Sequence, residues 1–152
     1  MSTPGRERTR NTAVLLREAF RALNDLVLDR LAAAGHEQVR PAQAAVFQYL
    51  DDDGTTVSTL AGRAQMTKQA MAELVRQLEQ HQYVVRVPDP TDGRAKLVTP
   101  TDRGRDVFRI VTGLVPEIET SVAEAIGADR VRKLHRDLDA IRRTARRGVP
   151  GD

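Results

Sequence analysis

Lys68, Gln69, Ala72, Glu73 and Arg76 recur at helical spacing, opposite Met71, Leu74, Val75 and Leu78. One face of such a helix is apolar and the other is a row of donors. Arg76 and Lys68 can donate to guanine O6 and N7 or to phosphate, and Gln69 can pair with adenine. Ala72 is small enough to approach a thymine methyl group. Thr67, one residue upstream, is placed to cap the helix, and its hydroxyl and the helix N-terminus can meet a phosphate oxygen. Glu73 can accept from cytosine N4 or pair with Arg76 three residues on. A plain solvated helix face accounts for the same residues, so the flanking elements decide between the readings.

A second cluster follows. Asp92, Arg94 and Lys96 lie at or beside a turn-forming stretch, Pro88 to Gly93, between two runs rich in β-branched residues, Tyr83 to Val87 and Ala95 to Thr99. This pattern predicts a β-hairpin with a cationic tip. Behind a groove-reading helix, such a tip is placed for an adjacent minor groove, where negative potential favours arginine. Asp92 can orient the Arg94 guanidinium through a charge-assisted hydrogen bond, or form with it a surface ion pair of little energetic weight.

Around these clusters the chain reads as helices. Leu16, Phe20, Leu23, Val27 and Leu31 recur at spacings of 4, 3, 4 and 4 in a helix predicted over residues 7–34. Leu15, Ala19, Ala22 and Leu26 add an adjacent stripe, an apolar arc broad enough to meet both a core and a partner subunit, or to fill one broad core. Gly35 ends this helix and Pro41 opens the next, which should bury Ala45, Val46, Tyr49 and Leu50. Asp51, Asp52 and Asp53 read as a solvated acidic turn, since no EF-hand spacing follows. A short helix from a Ser58 cap to Ala64 precedes the Thr67 helix, which runs to Gln80. Thr101 caps a helix to Ile126, with a kink or break expected at Pro116. A last helix over 129–146 shows Val131, Leu134, Leu138, Ile141 and Ala145 as a short heptad-like seam. The arginines at 142, 143, 146 and 147 read as a solubilising cluster in front of a frayed tail.

Composition narrows the function. The 152 residues are 40% hydrophobic and 30% charged, enough for a globular core in one domain. Aromatics at 3%, with no Trp, exclude a stacking platform for single strands. With no Cys there is neither a disulfide nor a thiol switch. Net charge is +3, a modest bias toward polyanions and low for a binder that uses the DNA backbone alone. His36, His81 and His135 show no metalloprotease spacing, and there is no phosphate loop or nucleophile elbow. No enzyme, cofactor or metal site is read, and no membrane span or signal peptide; the expected location is cytoplasmic.

The order of elements, with the wing segment Asp89 to Gly104 (DPTDGRAKLVTPTDRG) and the helix Met66 to Glu79, resembles the MarR family of bacterial transcription regulators. Asp92, Arg94, Thr101 and Gly104 match the positions by which that family marks its wing. The resemblance implies a mainly α fold with a small β-hairpin wing. It divides the one domain into a winged helix-turn-helix over 55–100 and a helical dimerisation region over 7–34 and 101–146. It implies a homodimer on a pseudo-palindromic operator in double-stranded DNA, most often a repressor, and a small aromatic effector bound between the dimer helices and the winged unit. Phe20, Tyr49, Phe47 and His36 are candidates to line that crevice. The site residues are Thr67, Lys68, Gln69, Ala72, Arg76, Asp92, Arg94 and Lys96. A non-specific architectural DNA binder with the same fold is the alternative. Two positions depart from the family pattern: Pro100 stands where Leu usually precedes Thr, and Gln82 where Gly commonly precedes the first wing strand. If the backbone at residue 82 takes positive φ, Gln82 is strained.

Overall fold

The computed structural model describes residues 10–147. The expected helix start at residue 7, the Arg147 side chain and the tail beyond it lie outside the described residues. The described chain is helical apart from one hairpin. It divides into two compact units, one ending at Val111 and the other starting at Thr112.

In the first unit, α1 spans Thr12–Ala33, capped by Asn11, whose side chain accepts from the Val14 N–H. Gly35, at φ +90°, turns the chain out of it as expected. Pro41 opens a 3-10 turn, Pro41–Gln43, before α2, Ala44–Tyr49. α3 is Val57–Ala64, and its cap is Thr56, not Ser58: the Thr56 hydroxyl accepts from the Thr59 N–H. Gln65 follows at φ 54°, and the Met66 N–H reaches back to the Ala61 carbonyl, making the tight turn into the next helix. α4 is Lys68–Gln80. Strands β1, Val84–Pro88, and β2, Lys96–Pro100, pair antiparallel, each one residue later than the β-branched pattern suggests. An isolated bridge between Thr55 and Val98 ties the hairpin to the start of the α3 segment.

The core of this unit is one cluster drawn from α1 through to Val107: Leu31, Val46, Leu60, Met71, Val75, Leu78, Tyr83, Val84, Val98 and Val107 are its most buried members. All four expected α4 core residues are buried, as are Val46 in α2 and Leu50 just after it. Phe47 is buried too, although the α2 pattern did not place it inward. Along α1 the division of labour is by length as much as by face. Leu31 is buried and Val27 and Leu28 pack on the core, whereas Leu15, Phe20, Leu23 and Leu26 are exposed, Phe20 to 62%.

α5 spans Asp102–Ile126 without a break, with Pro116 inside it. The missing Pro116 N–H removes one rung of the helix but does not split it, so of the expected kink or break the break does not occur. In the second unit, Gly127 at φ +93° separates α5 from α6, Ala128–Arg147. Val131 is buried, but Leu134 and Ile141 of the expected seam are 38% and 42% exposed. Asp139 accepts from both Arg142 and Arg143, so half of the terminal arginine cluster is engaged within its own helix. Among the described residues no helix is long and apolar enough to cross a membrane.

Candidate nucleic-acid interface

α4 is the element that presents the first cluster. The Thr67 hydroxyl accepts from the Ala70 N–H at 3.1 Å, so Thr67 caps the helix and its own O–H remains a donor. Met71, Leu74, Val75 and Leu78 anchor one face in the core, which forces Lys68, Gln69 and Arg76 onto the exposed opposite face, with Ala72 half-buried beside them. Glu73 takes the second of its two expected roles. Its carboxylate accepts from Arg76 Nη2 at 2.6 Å and Nε at 2.9 Å, and from Gln77 Nε2 at 3.0 Å. Those donors, Arg76 first, hold the Glu73 carboxyl below its ordinary range, and Glu73 in return raises Arg76.

The hairpin presents the second cluster: Asp92, Arg94 and Lys96 are all exposed at or beside its tip. Asp92 does not hold the Arg94 guanidinium. Its carboxylate accepts from the Arg94 backbone N–H at 3.0 Å, an Asx-type turn that shapes the loop on which Arg94 is exposed. Asp89 plays a matching part, accepting from both the N–H and the hydroxyl of Thr91, which lower its pKa.

The hairpin's base is locked to α4 and α5. Gln82 has φ 61°, the strained conformation that its departure from Gly predicts. Its carbonyl accepts from the Thr101 hydroxyl at 2.6 Å, and the Thr101 hydroxyl oxygen accepts from the Gly104 N–H at 3.1 Å as the cap of α5. The Thr101 N–H donates to the Tyr83 carbonyl at 3.1 Å, so Thr101 takes over from Pro100, which closes β2 without an N–H to give. Gly104 is required by close approach: a Cβ there would lie 2.1 Å from the Tyr83 carbonyl oxygen. An ion pair between Arg86 and Glu79 adds a second tie between β1 and α4. The orientation of the two clusters therefore rests on a few residues around position 82 and positions 101–104.

Behind this joint lies a polar network that the sequence did not announce. His36 is 5% exposed; its Nε2 donates to the Asp106 carboxylate at 2.8 Å. His36 Nδ1 lies 3.2 Å from the Tyr83 hydroxyl, and the phenol oxygen accepts from Arg103 at 3.0 Å. Arg103 also donates to Gln38 and lies over the Tyr83 ring, 4.6 Å from its centroid. The His36 N–H, then Arg109, hold the Asp106 carboxyl below its ordinary range. Of the four crevice candidates, His36 and Phe47 both meet Tyr83, Phe47 edge-on at 6.1 Å. Tyr49 is half-buried and uses its carbonyl to hold Arg63, while Phe20 is exposed. The sequence signal that could have found the network is a polar residue, His36, directly after a helix-ending Gly.

A short helix, a tight turn, a helix with an exposed donor face and a hairpin behind it define a winged helix-turn-helix. Residues 37–95 match the sequence model of the MarR family. The transcriptional activatory protein BadR of Rhodopseudomonas palustris is 32% identical over 75 residues, which are 49% of this chain and 42% of that protein. The chain thus matches about two-fifths of the length of this curated relative. Among solved structures, the DNA complex of MepR from S. aureus superposes with a TM-score of 0.70 at 19% identity, covering 88% of this chain and 97% of that one. The transcriptional repressor CouR, bound to a 23-mer DNA duplex, gives 0.69 at 23% identity over 93% and 99% of the two chains. PcaV from Streptomyces coelicolor, in complex with its natural ligand, gives 0.63 at 22% identity over 90% and 98%. These likenesses establish the fold.

Proposed function

We propose that the chain is a DNA-binding transcription regulator that acts as a homodimer, reads the major groove of a pseudo-palindromic operator with α4 and reaches the minor groove with the wing. One observation carries the reading: the face of α4 opposite its buried stripe presents Lys68, Gln69 and Arg76, and the adjoining hairpin ends in Arg94 and Lys96. Thr67 and the first N–H groups of α4 are placed for a phosphate, Ala72 permits close approach to the bases, and Asp92 shapes the loop that carries Arg94. The exposed apolar side chains of α1 and α6 support dimerisation, because large apolar groups left in water drive association. MepR and CouR solved with DNA and BadR named as an activator support transcription regulation as the activity, with no enzymatic step. Repression released by a small aromatic ligand belongs to the same proposal; PcaV solved with its natural ligand supports the ligand.

The test is selection from a random duplex library, followed by footprinting and titration. A two-fold symmetric footprint, with half-sites about one helical turn apart, is expected. Equal affinity for selected and random duplexes would replace the proposal with a non-specific architectural binder. Arg94→Ala should weaken binding and flatten the salt slope by about 0.9 if one phosphate contact is lost, or by less if the guanidinium reads the groove floor. Unchanged affinity refutes the role given to the wing.

A further inference from the structure

Arg76 is not a lone surface cation; it is the end of a chain of hydrogen bonds that starts at the backbone of a different element. The Arg40 N–H donates to Gln43 Oε1 at 2.9 Å, Gln43 Nε2 donates to Gln77 Oε1 at 3.3 Å, and Gln77 Nε2 donates to Glu73 Oε1 at 3.0 Å. Glu73 then accepts from Arg76 through both carboxylate oxygens. Gln43 is 2% exposed, so the chain is rooted in the interior. Its direction is fixed by its ends. A backbone N–H can only donate and an ionised carboxylate can only accept, so each glutamine between them has a single amide orientation that satisfies both neighbours. A run of donors all pointing one way also places the carboxylate with little freedom to swing.

The geometry at Arg76 matters for what it leaves unused. Glu73 occupies the side of the guanidinium formed by Nε and Nη2. The end formed by Nη1 and the second Nη2 hydrogen remains open, and that two-pronged end matches the O6 and N7 acceptors of guanine. The paired carboxylate also cancels the charge that would otherwise draw Arg76 to any nearby phosphate. We propose that Glu73 is a specificity-determining positioning residue: held by the relay from Arg40 through Gln43 and Gln77, it aims Arg76 at a guanine and keeps it off the backbone. This rests on α4 being the groove-reading helix. The consequence is that removing the acid weakens discrimination without weakening attraction for DNA, opposite to the effect of losing a base-contacting cation.

The experiment compares wild type with Glu73→Gln and Gln77→Ala on two probes, a duplex selected by the wild type and a random-sequence duplex of equal length. Both substituted positions are at the surface end of the relay, and thermal melts confirm that the variants fold. Glu73→Gln should lower the ratio of selected to random affinity by about tenfold or more, the discrimination of one bidentate base contact. On the random duplex it should bind more tightly, with a salt slope steeper by about 0.9 as Arg76 reaches a phosphate. Gln77→Ala should move both readouts in the same direction by a smaller amount. Replacing the guanines of the selected duplex one at a time by 7-deazaguanine, which lacks the N7 acceptor, should identify one whose loss costs the wild type affinity and leaves Glu73→Gln indifferent. A merely structural Glu73 would lower both affinities together and leave the slope and the 7-deaza response unchanged; that result overturns the proposal. A wild type with no sequence preference would instead overturn the DNA-reading assignment and this inference with it, an outcome distinguished before any variant is made.

Discussion

Replacing Gly104 by alanine tests the joint between wing and helices, because the substitution is small and its two effects oppose each other. Alanine is the better helix former by about 1 kcal/mol, so on propensity alone the variant should gain stability. The structure predicts a loss. The new Cβ would sit 2.1 Å from the Tyr83 carbonyl oxygen, 3.2 Å from its carbon and 3.4 Å from the Pro100 Cβ. Backbone atoms on that side cannot rotate away, so the start of α5 and the start of β1 must separate by about 1 Å to restore ordinary contact. That movement stretches the 3.1 Å bond from the Thr101 N–H to the Tyr83 carbonyl and the 2.6 Å bond from the Thr101 hydroxyl to Gln82. Losing two hydrogen bonds at about 1 kcal/mol each, with part of the α5 cap at about another 1, outweighs the propensity gain and leaves a net loss of about 2 kcal/mol. Gly113 supplies the control: it lies in the same helix, and a Cβ there meets nothing within 4 Å. Gly113→Ala should therefore stabilise by about 0.5–1 kcal/mol. Urea unfolding of both variants at one protomer concentration, so that association does not shift the midpoints, reads the two signs directly. A Gly104→Ala protein as stable as Gly113→Ala would refute the close approach and the account of the joint built on it.

Gln82→Gly should stabilise the chain by about 1 kcal/mol in the same urea assay, because glycine carries no penalty at φ 61°; a destabilised variant would mean that the side chain offsets the strain. Asp106→Asn addresses pH. The Asp106 carboxyl is held below its ordinary value first by the His36 N–H and then by Arg109, so its stabilising contribution is complete above about pH 4 and is lost as pH falls through the lowered value. Wild type should accordingly be the more stable at neutral pH, and thermal melts should bring the two proteins together on acidification below about pH 4; a constant difference would sink the assignment. Leu26→Lys places a charge at an exposed apolar position of α1 that is 51% accessible. Sedimentation should show it shifted toward monomer relative to wild type, and an unchanged dimer would remove α1 from the proposed interface.

Much of the fold was determined by local sequence. The period of Met71, Leu74, Val75 and Leu78 set both faces of α4, since a helix that buries that stripe has only one face left for Lys68, Gln69 and Arg76. Turn residues between two β-branched runs set the hairpin, and Gly35 and Gly127 set helix ends through backbone conformations that other residues disfavour. The strained φ at Gln82 was legible as well, as a departure from a family pattern. What tertiary structure decided were contacts between residues far apart in the chain, for which periodicity carries no signal. Asp92 and Arg94 suggest an ion pair by type and spacing, yet the Asp92 carboxylate accepts from the Arg94 backbone N–H. The His36–Tyr83–Arg103 network joins positions up to 67 residues apart, and the relay from Arg40 to Arg76 crosses between elements through two glutamines of no distinctive spacing. Sequence determined which side chains face outward, because burial of the apolar stripe leaves no choice. Only the folded chain determined where those side chains are aimed, because the groups that hold them come from other elements.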